Sequence, residues 1–364
     1  MRRVLRWIII LLILLQIPFL YAIYQSYELN IYLKNWVESA PDTPFRDLRG
    51  GIHVHSAAGG HSLGTYPEII EAAKSSGYDF LFITEHPRQS QLYREIEDPE
   101  LVVIYGWEEE AEPETRILTD KEHRVRFLSH FRVDQPLEDI SGLEIYNIHE
   151  NAVAADNWFN RGVFLYHQIS YPGLFFFHLW EIDRERLQKW DQALAERHLT
   201  AIAGNDAHQN VGIILQSASG DGWFSLLADP YRESLKAVAT HVLLPGDTLV
   251  SEESILHALE QGTAYVAFEK IGDPTGFSFH ARHNASIFPM GSSVPAGSEL
   301  LFQSPVTVRF RIIRNGEIHK ELEGTQFTLQ AQQPGAYRLE VYPLNPPGLL
   351  EGKPWIFSNA IYVR

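Results

Sequence analysis

The chain has 364 residues, 45% of them hydrophobic, and a formal net charge of −16 at pH 7. This length can bury a sizeable core in roughly two domains of about 150 residues each. The negative charge argues against nucleic acid as a partner, because phosphates need Lys and Arg to neutralise them. The chain has no cysteine, which excludes disulfides, thiolate metal ligands and cysteine nucleophiles.

Residues 1–28 differ from the rest of the chain. Arg2, Arg3 and Arg6 precede an apolar run that extends from Trp7 to about Tyr24. A run of this length predicts a transmembrane helix, and its basic flank predicts that the body lies outside the cytoplasm, on the periplasmic or extracellular side. A cleaved signal peptide is the alternative, although no convincing small-residue cleavage site is present.

Residues 29–47 predict a polar stalk, and residues 48–250 predict an α/β unit in which strands alternate with helices. The predicted strands are Gly51–His55, Phe80–Glu85, Leu101–Trp107, Arg124–His130, Leu143–Ile148 and Thr200–Ala203. Thr65 and Glu68 predict a capping box at the start of the first helix of this unit, and Gly77 predicts its end.

The pattern changes after residue 250. Residues 251–263 predict a connecting helix that ends at Gly262, and residues 264–364 predict short alternating strands. Asn315-Gly316 is typical of a hairpin turn. The C-terminal segment therefore predicts an all-β sandwich, which packs against the α/β unit or contacts carbohydrate or the cell envelope.

Histidines open the α/β unit. The sequence Gly51-Ile52-His53-Val54-His55 places two imidazoles two residues apart, and residues i and i+2 of a strand share a face. Both rings can therefore reach one metal ion, which neutral imidazole binds readily. His61 follows in a glycine-rich loop that could fold it back over the strand end.

Later strand ends carry further ligand types. The apolar run Phe80–Ile83 ends in Thr84-Glu85-His86, and the next strand continues into Gly106-Trp107-Glu108, where one carboxylate could bridge two metal ions. Thr200–Ala203 ends in Gly204-Asn205-Asp206-Ala207-His208, with Asp206 and His208 on one face. Polar residues directly after buried parallel strands indicate an active face, so we expect these side chains to form one metal site.

In this order, the motifs resemble those of the PHP (polymerase and histidinol phosphatase) family. The resemblance rests on His53-Val54-His55 with His61, Thr84-Glu85-His86, Gly106-Trp107-Glu108 and Gly204-Asn205-Asp206-Ala207-His208. The remainder is similar to a membrane-anchored or secreted branch related to the carbaryl hydrolases. The resemblance implies a distorted seven-stranded β/α barrel, up to three divalent metal ions and hydrolysis, most often of phosphoesters.

Two residues depart from the family pattern. Glu85 stands where the family usually has Asp, and Asn205 stands where it usually has Ser. Both are expected to orient His86 or the loop backbone instead of binding metal. A metal ion is therefore still expected to bind, but these departures make its identity and its affinity harder to predict.

The resemblance also implies two histidine ligands between Glu108 and Asp206. His130 ends a predicted strand and His123 could reach in from the loop before it, so these two are preferred, with His149 and His167 as alternates. The predicted ligands are His53, His55, His61, His86, Glu108, His123, His130, Asp206 and His208.

This ligand set predicts a hydrolase that uses two or three divalent ions (Mn, Zn or Fe) and a metal-activated water, without a protein nucleophile. The expected substrate is a small or phosphorylated molecule, and the preferred reaction is phosphoester hydrolysis. Hydrolysis of a carboxylic ester, carbamate or amide at the same site is the second interpretation. A non-catalytic envelope binding or sensor protein is the third, and the complete ligand set weighs against it.

Overall fold

Strands and helices alternate through the first two thirds of the chain, and strands dominate the last third. The structure is a computed structural model that describes residues 2–36, 39, 41–60, 62–87, 95–112, 115–170, 173–210, 212–216, 222–227 and 229–364. The described part is a mixed α/β protein with an apolar N-terminal helix and one large sheet of 17 strands. The α/β class is confirmed, whereas the seven-stranded barrel and the terminal sandwich stay predictions.

The helices of the described part are α1 (Arg2–Leu14), α2 (Ile17–Lys34), α3 (Tyr66–Ser75), α4 (Ile148–Ala154), α5 (Trp158–Ser170), α6 (Leu174–His178), α7 (Arg184–Leu194), α8 (Tyr231–Ser234) and α9 (Glu252–Gln261). Short 3₁₀ helices span Ala57–Gly59 and Gly348–Leu350.

The strands are β1 (Phe45–Val54), β2 (Phe80–Glu85), β3 (Val102–Glu112), β4 (Thr115–Asp120), β5 (Arg126–Ser129), β6 (Gly142–Asn147), β7 (Thr200–Gly204), β8 (Gly212–Gln216), β9 (Gly222–Leu227), β10 (Ala239–Pro245), β11 (Ala264–Ala267), β12 (Ser278–His283), β13 (Ser286–Pro289), β14 (Ser293–Val294), β15 (Ser298–Arg314), β16 (Glu317–Ala331), β17 (Gly335–Pro343), β18 (Ile356–Ser358) and β19 (Ile361–Val363).

The apolar N-terminus is helical, as predicted. The segment Arg3–Lys34 is long and apolar enough to cross a membrane, so it could be a membrane anchor or a signal sequence. The predicted stalk, residues 29–47, differs in part, because α2 continues to Lys34 and β1 already begins at Phe45. Tertiary contacts stabilise this longer helix: Leu29 is buried, and the Tyr32 hydroxyl donates to the Leu344 carbonyl at 3.1 Å.

Most strands of the α/β part run in one direction. β1, β2 and β3 pair in parallel, as do β5, β6 and β7, and β4 lies antiparallel between β3 and β5. The carboxyl ends of these six parallel strands therefore lie on one side, here called the carboxyl edge. The end of β7 lies beside β1, where the backbone N–H of Asn205 donates to the Ile52 carbonyl at 2.9 Å. This curvature brings the first and last predicted ligand motifs together.

Local signals in the sequence agree with several element ends. Glu68 Oε2 accepts from the backbone amide and the hydroxyl of Thr65 at 2.7 and 2.9 Å, which confirms the capping box of α3. Gly262 ends α9 with a left-handed φ of 73°. Asn315 and Gly316 have φ values of 49° and 82°, which confirms the hairpin turn between β15 and β16.

The C-terminal β segment packs against the α/β part. One hydrophobic core contains side chains of both, including Trp190 of α7 and Val341 of β17. Arg338 of β17 crosses the same boundary and donates from Nε and Nη2 to Asp191 of α7 at 2.6 and 2.7 Å. The predicted packing role of this segment is therefore observed.

A buried ionic network joins β1, β10 and β11. His241 is 1% exposed; its Nδ1 lies 2.8 Å from Asp47 Oδ1 and its Nε2 lies 3.0 Å from Glu269 Oε1. Burial disfavours the charged imidazole, but the two carboxylates outweigh burial and raise the pKa of His241 to about 9. The Tyr265 hydroxyl donates to the other oxygen of Asp47 at 2.6 Å, so the network is well supplied with donors.

We expect His241 to make stability depend on pH. The difference in unfolding free energy between the wild type and His241→Asn should be largest below about pH 6.5, the usual pKa of histidine. It should shrink as the pH rises through the folded-state pKa of about 9, because only the folded state holds this proton tightly. Urea unfolding of the detergent-solubilised chain between about pH 6 and pH 10 measures the difference, and a constant difference would contradict the assignment.

Candidate metal centre

The first two predicted ligands lie where the backbone of β1 is kinked. His53 has a φ of 64°, and the pairing of β1 with β2 skips a residue at this point. His130 and Asp206 also have left-handed φ values of 45°. Such backbone costs of order 1–3 kcal/mol at a non-glycine residue and is concentrated at functional sites. The rings of His53 and His55 therefore converge through a kink, and not through simple strand alternation.

His53 and His55 both face Glu108 and Asp206, and all four residues are buried. His53 Nε2 lies 3.6 Å from Glu108 Oε1 and 3.4 Å from Asp206 Oδ1. His55 Nε2 lies 3.3 Å from Glu108 Oε2 and 3.4 Å from the same oxygen of Asp206. The structure thus brings together residues that are separated by more than 150 positions in the sequence.

His86 and His130 extend the cluster on two sides of Glu108. His86 Nε2 is 3.3 Å from Glu108 Oε2. His130 Nε2 is 3.5 Å from Glu108 Oε1 and 3.1 Å from Asp206 Oδ2. The two oxygens of Glu108 consequently face different histidines, which fits the predicted bridging carboxylate.

His208 and His149 approach from the ends of β7 and β6. The Nδ1–H of His208 donates to the Asp206 carbonyl at 2.8 Å, which leaves Nε2 as its ligand atom. The ring centroid of His208 lies 4.5 Å from that of His55 and 5.3 Å from that of His149. The ring of His149, an alternate ligand in the sequence analysis, thus lies beside that of His208.

The spacing between these atoms fits metal ligation. Metal–nitrogen and metal–oxygen bonds of about 2.0–2.2 Å place two ligands of a tetrahedral ion about 3.3 Å apart. The nitrogen–oxygen distances of 3.1 to 3.6 Å bracket that value, whereas charged hydrogen bonds are about 2.7–2.9 Å long. His53 Nε2 is buried and has no hydrogen-bond partner among the described residues. These buried groups could therefore hold a metal ion.

Three predicted or alternate ligands are not placed in this cluster. His61 lies outside the described residues. His123 follows β4, whose carboxyl end points away from the carboxyl edge; its Nε2 contacts Glu109 Oε1 at 3.0 Å, and its side chain is 47% exposed. His167 lies in α5, with its ring 5.1 Å from that of His178. Of the preferred pair, His130 therefore lies in the cluster and His123 does not, because β4 runs antiparallel.

The two residues that depart from the family pattern orient backbone. Glu85 Oε1 accepts from the Ser56 amide at 3.0 Å and from the Tyr66 hydroxyl at 3.3 Å, and it also contacts the Ser56 hydroxyl. Asn205 Nδ2 donates to the carbonyls of Ser234 and Val238 at 3.1 and 2.9 Å. Glu85 therefore holds the loop after β1, and Asn205 holds the loop after β7 against the segment around α8.

Glu144 of β6 supports His53 from behind. It is fully buried and accepts from His53 Nδ1 at 2.8 Å, from Ser129 Oγ at 2.5 Å and from Asn147 Nδ2 at 2.9 Å. A carboxylate on Nδ1 fixes the tautomer that offers Nε2 to a metal. Glu144 is not among the residues predicted from the sequence, although an acidic residue between Leu143 and Ile145 of a buried strand is a signal that could have found it.

Gly204 leaves room for Glu144. A Cβ atom at position 204 would lie 1.7 Å from Glu144 Oε1 and 3.2 Å from the His53 Cβ. The glycine before Asn205-Asp206 is therefore required by a close approach of buried side chains. Its φ is not in the left-handed region, so the constraint is steric and not conformational.

His130 has a second supporting carboxylate, which the sequence analysis also missed. His130 Nδ1 lies 3.2 Å from Glu150 Oε1, and Arg186 of α7 donates to that oxygen at 2.9 Å. Burial opposes ionisation of Glu150, but His130 and Arg186 outweigh it and lower its pKa to about 2. Glu150 directly follows His149 in the first turn of α4. This turn therefore places the His149 imidazole beside His208 and the Glu150 carboxylate beside His130.

The carboxylates of this cluster stabilise the protonated forms of His53 and His130. Burial lowers the pKa of His53, but Asp206, Glu144 and Glu108 outweigh burial and hold it well above the usual value. In the same way, the pKa of His130 is raised to about 10, against burial, by hydrogen bonds to Asp206 and Glu150. Since metal ligands must be deprotonated, divalent ions are expected to displace these protons on binding.

We expect Glu144→Gln to weaken metal binding 10- to 100-fold, since a supporting carboxylate contributes about this much to affinity. Competition with a chromophoric chelator measures the affinity in the detergent-solubilised chain. Glu110→Gln is the matched control, because the Glu110 side chain is 62% exposed and lies on the same hairpin as Glu108. Equal affinities in the two variants would contradict a supporting role for Glu144.

Side chains from several strand ends and from Glu108 within β3 thus meet near the carboxyl edge, and they combine imidazoles with two central carboxylates. Imidazole and carboxylate together suit Zn, Mn and Fe. The described residues could therefore hold a metal ion at this point of the fold. The chain matches no protein-family model, no curated protein and no solved structure.

Proposed function

We propose that this chain is a metal-dependent hydrolase of the PHP type, and that its substrates are phosphoesters. The observation that carries the proposal is the division of the Glu108 carboxylate between two sets of histidines, with Asp206 beside both. Such a carboxylate suits a site with more than one divalent ion. Divalent ions held there would supply an activated water and charge stabilisation for the group that is transferred.

Each protein group has a defined role in this proposal. The ligands are His53, His55, His86, Glu108, His130, His149, Asp206 and His208. Glu144 and Glu150 orient the imidazoles of His53 and His130, because each accepts from the ring nitrogen that faces away from the cluster. Preorganised ligands keep the site in one geometry as charge develops on the substrate.

The charge of the site supports an anionic substrate. Glu85, Glu108, Glu144 and Asp206 are buried near the cluster, and Arg186 neutralises Glu150. Two divalent ions would balance these four carboxylates, and a third would leave the site positive. A positive, partly enclosed site attracts phosphate more strongly than a neutral ester.

The N-terminal helix is proposed as a retained membrane anchor, with the body outside the cytoplasm. Pro18, Ala22 and Leu29 of α2 are buried against the body, and His178 lies 3.1 Å from Gln25. A cleaved signal peptide would not be expected to contribute buried side chains to the folded protein. Arg2, Arg3 and Arg6 support the orientation by the positive-inside rule.

Metal content and a substrate panel test the proposal on the full chain in detergent. We expect two or three divalent ions per chain, and hydrolysis of aryl phosphates that a chelator abolishes and added Mn²⁺ or Zn²⁺ restores. Hydrolysis of aryl esters or carbamates alone would favour the second interpretation from the sequence. Bound metal without turnover on any member of the panel would overturn the proposed activity in favour of a binding protein.

A further inference from the structure

Exposed apolar side chains are concentrated at the carboxyl edge. Among the described residues after α2, seven large hydrophobic side chains are exposed, and four of them lie in segments that follow the carboxyl ends of strands. These four are Leu63 after β1, Val133 after β5, Val153 in α4 and Leu165 in α5, with exposed fractions of 50%, 40%, 64% and 41%. These four side chains are therefore the exposed apolar groups that a membrane beside the carboxyl edge would contact.

Helix α5 packs against the part of α2 that belongs to the C-terminal half of the apolar run. The ring of Phe19 lies 4.7 Å from that of Tyr166, and the ring of Tyr21 lies 6.1 Å from that of Phe159. About 20 residues span the hydrocarbon core; counted from Trp7, after the last N-terminal arginine, they include both Phe19 and Tyr21. If this helix spans the membrane, α5 is therefore held at the outer boundary of the bilayer.

The sequence of α5 suits that boundary. It contains Trp158, Phe159, Phe164 and Tyr166 within nine positions. Aromatic residues are enriched at the interface between lipid and water, where one end of the ring is apolar and the other is wet. An amphipathic helix with such residues lies in the plane of the interface.

Helix α5 also belongs to the same edge as the metal centre. The chain leaves β6 at its carboxyl end, passes His149 and Glu150 in the first turn of α4, and enters α5 after three more residues beyond Ala154. It returns at α7, where Arg186 binds Glu150. The segment that contacts α2 therefore leaves the carboxyl edge after β6 and returns to it at α7, so the anchor contacts a segment that starts and ends beside the metal centre.

We propose that the metal centre acts on the phosphorylated head group of a membrane lipid. This inference rests on the proposed function and on the retained anchor. The head group would reach the metal centre while the acyl chains stay in the bilayer, beside α5 and the exposed residues Leu63 and Val133. In the reaction, the oxygen of water bonds to phosphorus, the bond from phosphorus to the lipid oxygen breaks, and a proton from water passes to that oxygen.

The position of α5 can be tested without any activity, because the chain has no cysteine. Leu165→Cys and the control Leu249→Cys each carry one environment-sensitive fluorophore on the full chain in phosphatidylcholine vesicles. Leu249 is 82% exposed and follows β10, which ends opposite the amino end of β1. We expect brominated lipid to quench only the label at position 165, and iodide to quench the label at position 249 several times more strongly. Equal access of iodide to both labels would overturn the inference.

Turnover tests the substrate class. Phosphatidic acid in phosphatidylcholine vesicles is compared with a soluble aryl phosphate, and the ratio of the two rates is measured. We expect Leu165→Glu to lower this ratio at least tenfold and Leu249→Glu to leave it unchanged. An unchanged ratio in Leu165→Glu, or no turnover of the lipid by the wild type, would overturn the lipid inference. Hydrolysis of the aryl phosphate in the same experiment would still support the proposed function. Failure of the proposed function would instead appear as metal-loaded protein that hydrolyses neither compound.

Discussion

Asp206→Ala is expected to lower kcat/KM for an aryl phosphate at least a thousandfold, a loss of about 4 kcal/mol of transition-state stabilisation. The reason is geometric: the Asp206 carboxylate lies within 3.1 to 3.4 Å of the Nε2 atoms of His53, His55 and His130. Without it, three imidazoles lose the anion they share, and the proposed metal ions would lose a central ligand. Metal content should fall in parallel, which equilibrium dialysis and elemental analysis measure.

Asp134→Ala is the matched control for Asp206→Ala, because the Asp134 side chain is 69% exposed and pairs with Arg132 at the surface. Its activity and metal content should equal those of the wild type. Near-UV circular dichroism distinguishes loss of the site from loss of the fold. Wild-type turnover in a folded Asp206→Ala protein would rule out the proposed centre.

Arg338→Met is expected to lower the free energy of unfolding by about 3–5 kcal/mol, because it leaves a buried carboxylate without its partner. Arg338 is 2% exposed and donates to both oxygens of Asp191, at 2.6 and 2.7 Å, and to Glu340 Oε1 at 3.0 Å. The pair connects β17 with α7, so its loss should loosen the C-terminal segment against the α/β part. Urea unfolding of the detergent-solubilised chain measures the change.

Two further variants sharpen this prediction. Arg309→Met removes an exposed pair with Glu323, in which both side chains are more than a third exposed, and should cost less than about 1 kcal/mol. The double variant Arg338→Met with Asp191→Leu removes the orphaned charge and should recover part of the stability lost in the single variant. If Arg338→Met lowers the free energy of unfolding no more than Arg309→Met does, the Arg338–Asp191 pair does not stabilise the contact between the C-terminal segment and the α/β part.

Local patterns were enough to predict many elements. Phe80–Glu85 is a strand with the predicted bounds, because a run of buried apolar residues ends abruptly in the polar residues Glu85 and His86. The start of α3 and the end of α9 follow from capping residues, whose hydrogen bonds involve only near neighbours. Contacts of this kind do not depend on distant parts of the chain.

Local patterns in the sequence could not predict whether neighbouring strands pair in parallel or antiparallel. The sequence analysis predicted no strand at β4, and nothing within Thr115–Asp120 indicates that this segment runs antiparallel between β3 and β5. That direction moves His123 away from the carboxyl edge. His149 is brought to His208 by the parallel pairing of β6 with β7, which again is a contact between distant segments.

The sequence by itself determined which chemistry is available: imidazoles and carboxylates at successive strand ends, an apolar N-terminus and no thiol. These follow from residue type and short spacing, which act over a few positions. Only the tertiary structure decided which histidines meet and which carboxylates support them. The supporting roles of Glu144 and Glu150 are shown by their contacts with His53 and His130. Strand pairing and packing, and not distance along the chain, determine which buried groups become partners.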